Sequence, residues 1–473
     1  MNVFLCRCLL ILALIMLGAD AGSAQTTGTP PPACEKSIAD EEAAWGKSKH
    51  EFLDSVLHKE QIQLKETWCR IGEATGYDRV HKAEDFGRVL ITGDGLHPAV
   101  SSSIVPGSGL AGGGEFALDT PLKEFPVRPQ ESIKALASTN GSWFAGGKIS
   151  LVGSSPISNP FDQRHIHATL EVQHYDLSQL NFDGLGSSSS RANETVYALQ
   201  TTSAGASLVV PVPRGFFVTT SLEGLWANPG GVPGESIASI GQIFSEGTAP
   251  ALNTSTAYLA YGAGAIWEYP LAPRLFGYRS VVSTQFRMFH EASGAPFSFR
   301  RFDATWIQSY ALPPLKSRRN FSLGTFSLIS RLVESVAPAG NNIPFYLQPT
   351  LGGTDITNQA VLPSYADYRF RAPNAEVFQT EYERAIKDPL GLVLFYDVGK
   401  VALTRSDLAF DHMPHSFGVG IAVRVGNYPV LNLYYAWAGH EGTHTIITAN
   451  TDYTALTAAE DDPRLLAGPL PPW

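Results

Sequence analysis

The sequence predicts an all-β fold, a transmembrane antiparallel β-barrel of about 16 strands with a short α-helical N-terminal segment on the periplasmic side. Three observations lead there. Charged residues make up only 16% of the 473 residues, below the quarter usual for soluble proteins, while mean hydropathy stays close to zero. Glycine (44 residues) and aromatics (11%) are plentiful and Met is scarce, a mixture that suits many amphipathic strands better than buried helices. From about residue 105 onward, short alternating apolar/polar runs are separated by Gly, Pro, Asn, Asp and Ser clusters.

Taken in order, residues 1–24 have the form of a secretory signal. Arg7 supplies the basic start, Leu9 to Leu17 an apolar core too short to span a bilayer, and Ala19-Asp20-Ala21 or Gly22-Ser23-Ala24 the small residues for cleavage. An uncleaved anchor is the alternative. No later stretch is apolar for long enough to cross a membrane as a helix. Export without helical spans leaves a soluble exported protein or a barrel. The formal charge of −10 argues against nucleic acid as a partner, which needs a basic face. Cys6 and Cys8 fall in the leader; Cys34 and Cys69 remain, either as a disulfide in the exported compartment or as free thiols.

Residues 25–104 divide into a Pro-rich linker and a helix over 36–75. Phe52 and Val56, Leu53 and Leu57, then Leu64, Trp68 and Ile71 recur three or four apart among Glu, Lys and Asp. Its stripe is narrow, so the helix needs a docking partner, either neighbouring elements or a barrel lumen.

The barrel is expected over 105–450, as a closed cylinder apolar outside and wet inside. Ile166, Ala168, Leu170 and Val172 alternate with His167, Thr169, Glu171 and Gln173. Val218, Leu222 and Trp226 alternate with Thr219, Ser221 and Glu223, and Val282, Phe286 and Met288 with Ser283, Gln285 and Arg287. Near the C-terminus, Phe378, Thr380 and Tyr382 are expected to face lipid, with Gln379, Glu381 and Glu383 opposite. Leu392, Leu394, Tyr396 and Val398 face out, and Phe395, Asp397 and Gly399 face in. About fourteen strands are legible, and a further pair is expected near 86–104 and 119–142. The longest loops are 183–195, 227–254 and 334–364. Serine-rich 187–190 and Gly/Pro-rich 229–234 read as mobile loop tips. Pro344, Pro349, Pro363 and Pro373 disfavour strand pairing and make 341–375 an ordered loop able to fold inward. The last strand is expected at His444 to Asn450, followed by a tail over 451–473.

Several motifs resemble the bacterial surface antigen superfamily of outer-membrane barrels, which includes BamA and TamA. They are Leu351-Gly352-Gly353, Tyr365 with Tyr368-Arg369-Phe370-Arg371, Glu381-Tyr382, and Phe395-x-Asp397-x-Gly399. Phe417 to Gly420, Tyr434-Tyr435-Ala436, Asn181 to Gly186 and Phe299 to Leu312 extend the likeness. The resemblance implies a bacterial outer-membrane location, lipid as the main partner and a monomeric barrel, with periplasmic or outer-membrane proteins as further partners. It also implies a long inward loop ending in Val/Leu-Arg-Gly-Phe/Tyr, whose arginine meets the wall acids. Here that tetrapeptide is Leu362-Pro363-Ser364-Tyr365, and the arginine is gone. Two readings follow. Arg369 or Arg371 takes over, pairing with Asp397 or Glu381, or those acids are simply solvated in the lumen. Too few residues precede the barrel for the family's periplasmic repeats.

No catalytic set, cofactor site or metal site emerges from the sequence, so no enzyme activity is expected. His440-Glu441-Gly442-Thr443-His444 matches the H-E-x-x-H zinc pattern, but that chemistry needs a helix, and Gly442 and Thr443 among strand formers read as a hairpin turn. Functionally, the sequence points to a structural or conduit role without an active site. Protein insertion or translocation, and passive passage of small solutes through a porin, are the alternatives.

Overall fold

The computed structural model describes residues 95–119, 127–153, 166–232, 236–269, 278–311, 324–354, 360–387, 390–425, 428–437 and 441–449. The expected signal, the expected helix over 36–75, Cys34, Cys69 and the expected C-terminal tail over 451–473 lie outside the described residues.

Short alternating runs with turn residues between them become strands. In chain order these are β1 (Gly95–Ser101), β2 (Ala111–Asp119), β3 (Val127–Ser138), β4 (Trp143–Gly153), β5 (His167–Phe182), β6 (Thr195–Val212), β7 (Phe216–Gly231), β8 (Ala238–Ser239), β9 (Thr256–Tyr269) and β10 (Tyr278–Glu291). They continue as β11 (Phe299–Ala311), β12 (Thr325–Val336), β13 (Thr350–Leu351), β14 (Phe370–Arg371), β15 (Asn374–Lys387), β16 (Leu390–Ala402), β17 (His415–Val425), β18 (Tyr428–Trp437) and β19 (Thr443–Ala449). One helical turn, α1 (Ile240–Ile243), follows β8.

Seventeen strands form one sheet, and β13 and β14 form a separate two-stranded ribbon. Apart from the two-residue β8, which runs parallel to β6, the main sheet is antiparallel and up-and-down. Each remaining strand pairs with its neighbours in sequence, β7 passing to β9 and β12 to β15. That leaves sixteen ladder members among the described residues, as expected. The further pair of strands appears as β1 and β3, and the sheet starts at Gly95, upstream of the boundary expected at 105.

The closed cylinder is not realised. β1 and β19 approach within 8 Å (Cα–Cα), yet no ladder joins them among the described residues. Both strands have only seven residues, and Pro98 within β1 has no N–H to offer a partner.

The two faces differ as the period of two demands. Leu170, Val172, Val218, Leu222, Trp226, Phe286, Trp306, Leu392, Leu394 and Tyr396 are exposed on the outer face. Near the rim of short turns, Tyr278, Tyr310, Phe326 and Tyr382 are successive partners across four strands, and Phe216 stacks on Trp267 at 5.6 Å. Trp143, Trp226 and the Phe417–Trp437 pair lie toward the other rim. Two aromatic girdles bounding an apolar band are the surface a bilayer requires of a barrel.

Strands β5, β6 and β7 run to 16, 18 and 16 residues, beyond the roughly 9–11 needed to cross. Their surplus rises at the long-loop rim. There Leu180, Phe182, Tyr197, Leu199 and Leu225 join Phe345, Tyr346 and Leu347 in a buried core.

Candidate functional site

The described parts of the long loop between β12 and β15, residues 337–354 and 360–373, fold inward and plug the long-loop end of the sheet. Its prolines keep it out of the ladder, as the sequence led us to expect. It carries a 3-10 turn at Phe345–Leu347 and closes on itself through β13 and β14, where Leu351 faces Phe370 in register. Gly352 and Gly353 have φ of 113° and 62°. A Cβ on Gly352 would sit 2.6 Å from the Ala366 carbonyl oxygen, so the tight return past Asp367 requires glycine there.

The loop docks on the wall mainly through backbone amides. Leu362 N–H donates to Asp397 Oδ2 at 3.2 Å, and Ser364 N–H donates to Ser416 Oγ at 3.0 Å. Gln379 Nε2 donates both to the Ala360 carbonyl (2.9 Å) and to Asp397 Oδ2 (3.2 Å). Leu362 is fully buried with φ of 53°, a left-handed geometry costly for a branched side chain. Asp397 and Gln379 therefore clamp a strained turn. Gly399 completes the seat, because Leu351 Cδ1 comes within 3.1 Å of where a Cβ would be. Tyr365 packs on Phe370, ring centroids 5.1 Å apart, and burial raises its phenol pKa.

Neither Arg369 nor Arg371 is among the hydrogen-bond partners of Asp397, which are Leu362 N–H and Gln379 Nε2. Arg369 turns toward two other loops. Its Nε donates to both oxygens of Glu441 at 2.9 Å, its Nη2 lies 2.8 Å from Glu441 Oε1, and its Nε is 3.8 Å from Asp183 Oδ2. Ser189 accepts two further bonds, at Oγ (2.8 Å) and at its carbonyl (2.7 Å). The guanidinium also lies 4.7 Å from the Phe370 centroid. Asp183 is buried, and its Oδ1 meets no donor among the described residues. Burial raises its pKa to about 6, against the opposing pull of Arg369. Asp367 is likewise raised to about 6 by burial, although it accepts Thr354 N–H at 2.9 Å.

Arg371 is 1% exposed and enters the core. Nη1 donates to the Phe345 carbonyl at 3.0 Å, and the guanidinium carbon lies 5.7–5.9 Å from the rings of Phe182, Tyr197, Phe345 and Tyr368. Tyr368, at φ 61°, donates its hydroxyl to the Pro106 carbonyl. Phe345 N–H reaches Pro250, Asn342 N–H reaches Pro296, and Arg301 Nη2 reaches the Leu347 carbonyl. The loop thus ties together the segments after β1, β5, β8, β10 and β18.

Two sequence readings need correction. Ser187 to Ser190 is no free tip: Ser187 Oγ bonds Val401 O and N at 2.8 and 3.0 Å, and Ser189 holds Arg369. Residues 229–231 finish β7 instead of forming a loop tip, because β6 continues alongside to Tyr197. The hairpin turn before β19 is present, with Gly442 at φ 98°, but the role of Glu441 was invisible in the sequence. Its only signal there was an acid at a turn.

Below the plug, on the inner face of β2 to β5, lies a cavity of about 210 Å³ lined by residues that include Glu115, Lys134, Phe144, Lys148, Glu171 and Tyr175.

No protein-family model matches the chain, and no curated protein matches it. Among solved structures it is similar to BamA from Haemophilus ducreyi lacking POTRA domains 1-3 (12% identity, TM-score 0.47, covering 75% of this chain and 69% of that one). It is also similar to CdiB from Acinetobacter baumannii (10%, TM-score 0.44) and CdiB from Escherichia coli (12%, TM-score 0.43), each alignment covering 75% of this chain. The chain spans 59% and 61% of those two CdiB chains.

Proposed function

We propose that this chain is a bacterial outer-membrane β-barrel of the surface antigen type, with a structural or conduit role and no active site. The observation that carries the reading is the pair of faces. An apolar outer band between aromatic girdles suits lipid, while the inner face holds charged side chains and a packed loop. The plug at the long-loop rim limits any passage to the part of the lumen it leaves uncovered. Lipid is then the principal partner and a single copy the working unit. The test combines membrane fractionation with planar-bilayer conductance. Enrichment with outer-membrane markers and small, intermittent conductance are expected. Recovery as a soluble monomer in detergent-free buffer would overturn the barrel reading, and large steady channels would favour a passive porin instead. A second reading, insertion or translocation of other proteins, draws support from the lack of a ladder between β1 and β19 among the described residues, since a seam of that kind is where a further strand would enter the sheet. Crosslinking of a nascent outer-membrane strand to cysteines placed in β1 would favour it.

A further inference from the structure

The inner face of β2 to β5 is built differently from the rest of the wall. Its side chains fall into rows set by the register. One row runs Glu115, Lys134, Gly146, Gln173 across four strands, and the next runs Ser132, Lys148, Glu171 across three. Leu136, Phe144 and Tyr175 form the row above, toward the long loops, with the Phe144 and Tyr175 rings 4.7 Å apart. Lys148 and Glu171 are direct cross-strand partners, a position in which opposite charges ordinarily close on one another. Here no ion pair joins them within 4 Å among the described residues. Glu171 instead accepts from Gln173, and both side chains border the cavity. Gly146 contributes no side chain between them and the aromatic row.

We propose that this cavity is a binding site for a zwitterionic solute of amino-acid size. The carboxylate meets Lys148, the ammonium meets Glu171, and an apolar or aromatic body lies against Phe144 and Tyr175. The chemistry favours a zwitterion because one wall offers a cation and an anion a strand apart, so a simple anion or cation would satisfy one and face repulsion from the other. Size agrees. About 210 Å³ falls below the roughly 300–1,000 Å³ of drug-sized pockets, and is about seven water volumes at ~30 Å³ each. The site deepens the conduit reading and rests on it only for the route by which solute arrives; binding in detergent tests the site, and conductance tests the route.

The experiment is equilibrium binding to the purified full chain in detergent, with phenylalanine, phenylacetate and phenethylamine as probes. Phenylalanine should bind at least about tenfold more tightly than either singly charged analogue, as two charge-assisted contacts require. Lys148→Met should abolish the preference over phenethylamine, and Glu171→Gln the preference over phenylacetate. Outward-facing Leu170→Ala serves as the control on the same strand, and heat-modifiable gel mobility confirms that each variant is folded. Equal binding of all three probes, no binding of any, or a preference that survives both variants would overturn the proposal.

Discussion

The two halves of the sheet are stabilised in different ways. From β5 to β16 the inner face is covered at its long-loop end: the described parts of the loop between β12 and β15 lie against it there, and their core merges with those of the neighbouring loops. From β17 through β19 and round to β4 the loop is held mainly by hydrogen bonds, to Ser416, Glu441 and Pro106. β1 and β19 are seven residues long, no ladder joins them among the described residues, and the inner face of β2 to β5 borders a charged cavity. One half is fixed by side-chain packing against the loop, the other by its own ladder and a few hydrogen-bonded tethers to the loop. Local stability follows buried contacts, so the plugged half is the stable unit and the seam half the pliable one.

The sharpest way to break this contrast is Arg369→Ala. It leaves the Glu441 and Asp183 carboxylates facing each other without their cation, at a cost of about 3–5 kcal/mol for a broken buried pair. Urea unfolding in detergent should reveal the loss, while Lys148→Met on the seam half should stay within about 0.5 kcal/mol of wild type. Equal effects would erase the distinction. Asp397→Ala comes next. It strands the Leu362 N–H and one Gln379 bond, for about 1–3 kcal/mol, and should also increase bilayer conductance by loosening the plug.

A smaller effect is expected from pH. Asp183 and Asp367 both have folded-state pKa values raised from 3.8 to about 6. A carboxyl that holds its proton more tightly when folded stabilises the fold below its unfolded pKa. That contribution is lost as pH rises between about 4 and 6. The unfolding midpoint should therefore fall over that window, and Asp183→Asn should flatten the fall. An unchanged slope in the variant would remove Asp183 from the account. Smallest is a difference in hydrogen exchange: the amides of β1 and β2 should exchange faster than those of β11 and β12. Uniform protection would mean that the seam is no weaker than the wall.

Most of the wall was legible because it depends on local alternation. The outward sets at 166–172, 218–226 and 392–396 needed only a period of two. The inward loop was legible from its prolines and from Leu351-Gly352-Gly353. The tethers were not, because they join residues distant in sequence. Arg369 meets Glu441 across 72 positions and Ser189 across 180, and nothing local to any of these residues names the other. The serine run misled for the same reason: hydroxyls that look solvated in sequence fill bonds to Val401 and Arg369. At Asp397 the sequence suggested a substitute cation, whereas the Leu362 N–H of the loop and the Gln379 amide of the wall supply the donors.

The cage around Arg371 has a consequence for how the molecule operates. Withdrawing the loop would drag a bare cation out from among four rings, where such contacts are worth ~2 kcal/mol or more once water is excluded, and would rehydrate an entire aromatic core. A part that is seated once, while the chain folds, behaves as a rivet and not as a valve. A conduit of the kind proposed above would run beside the rivet, along the inner face of β2 to β5.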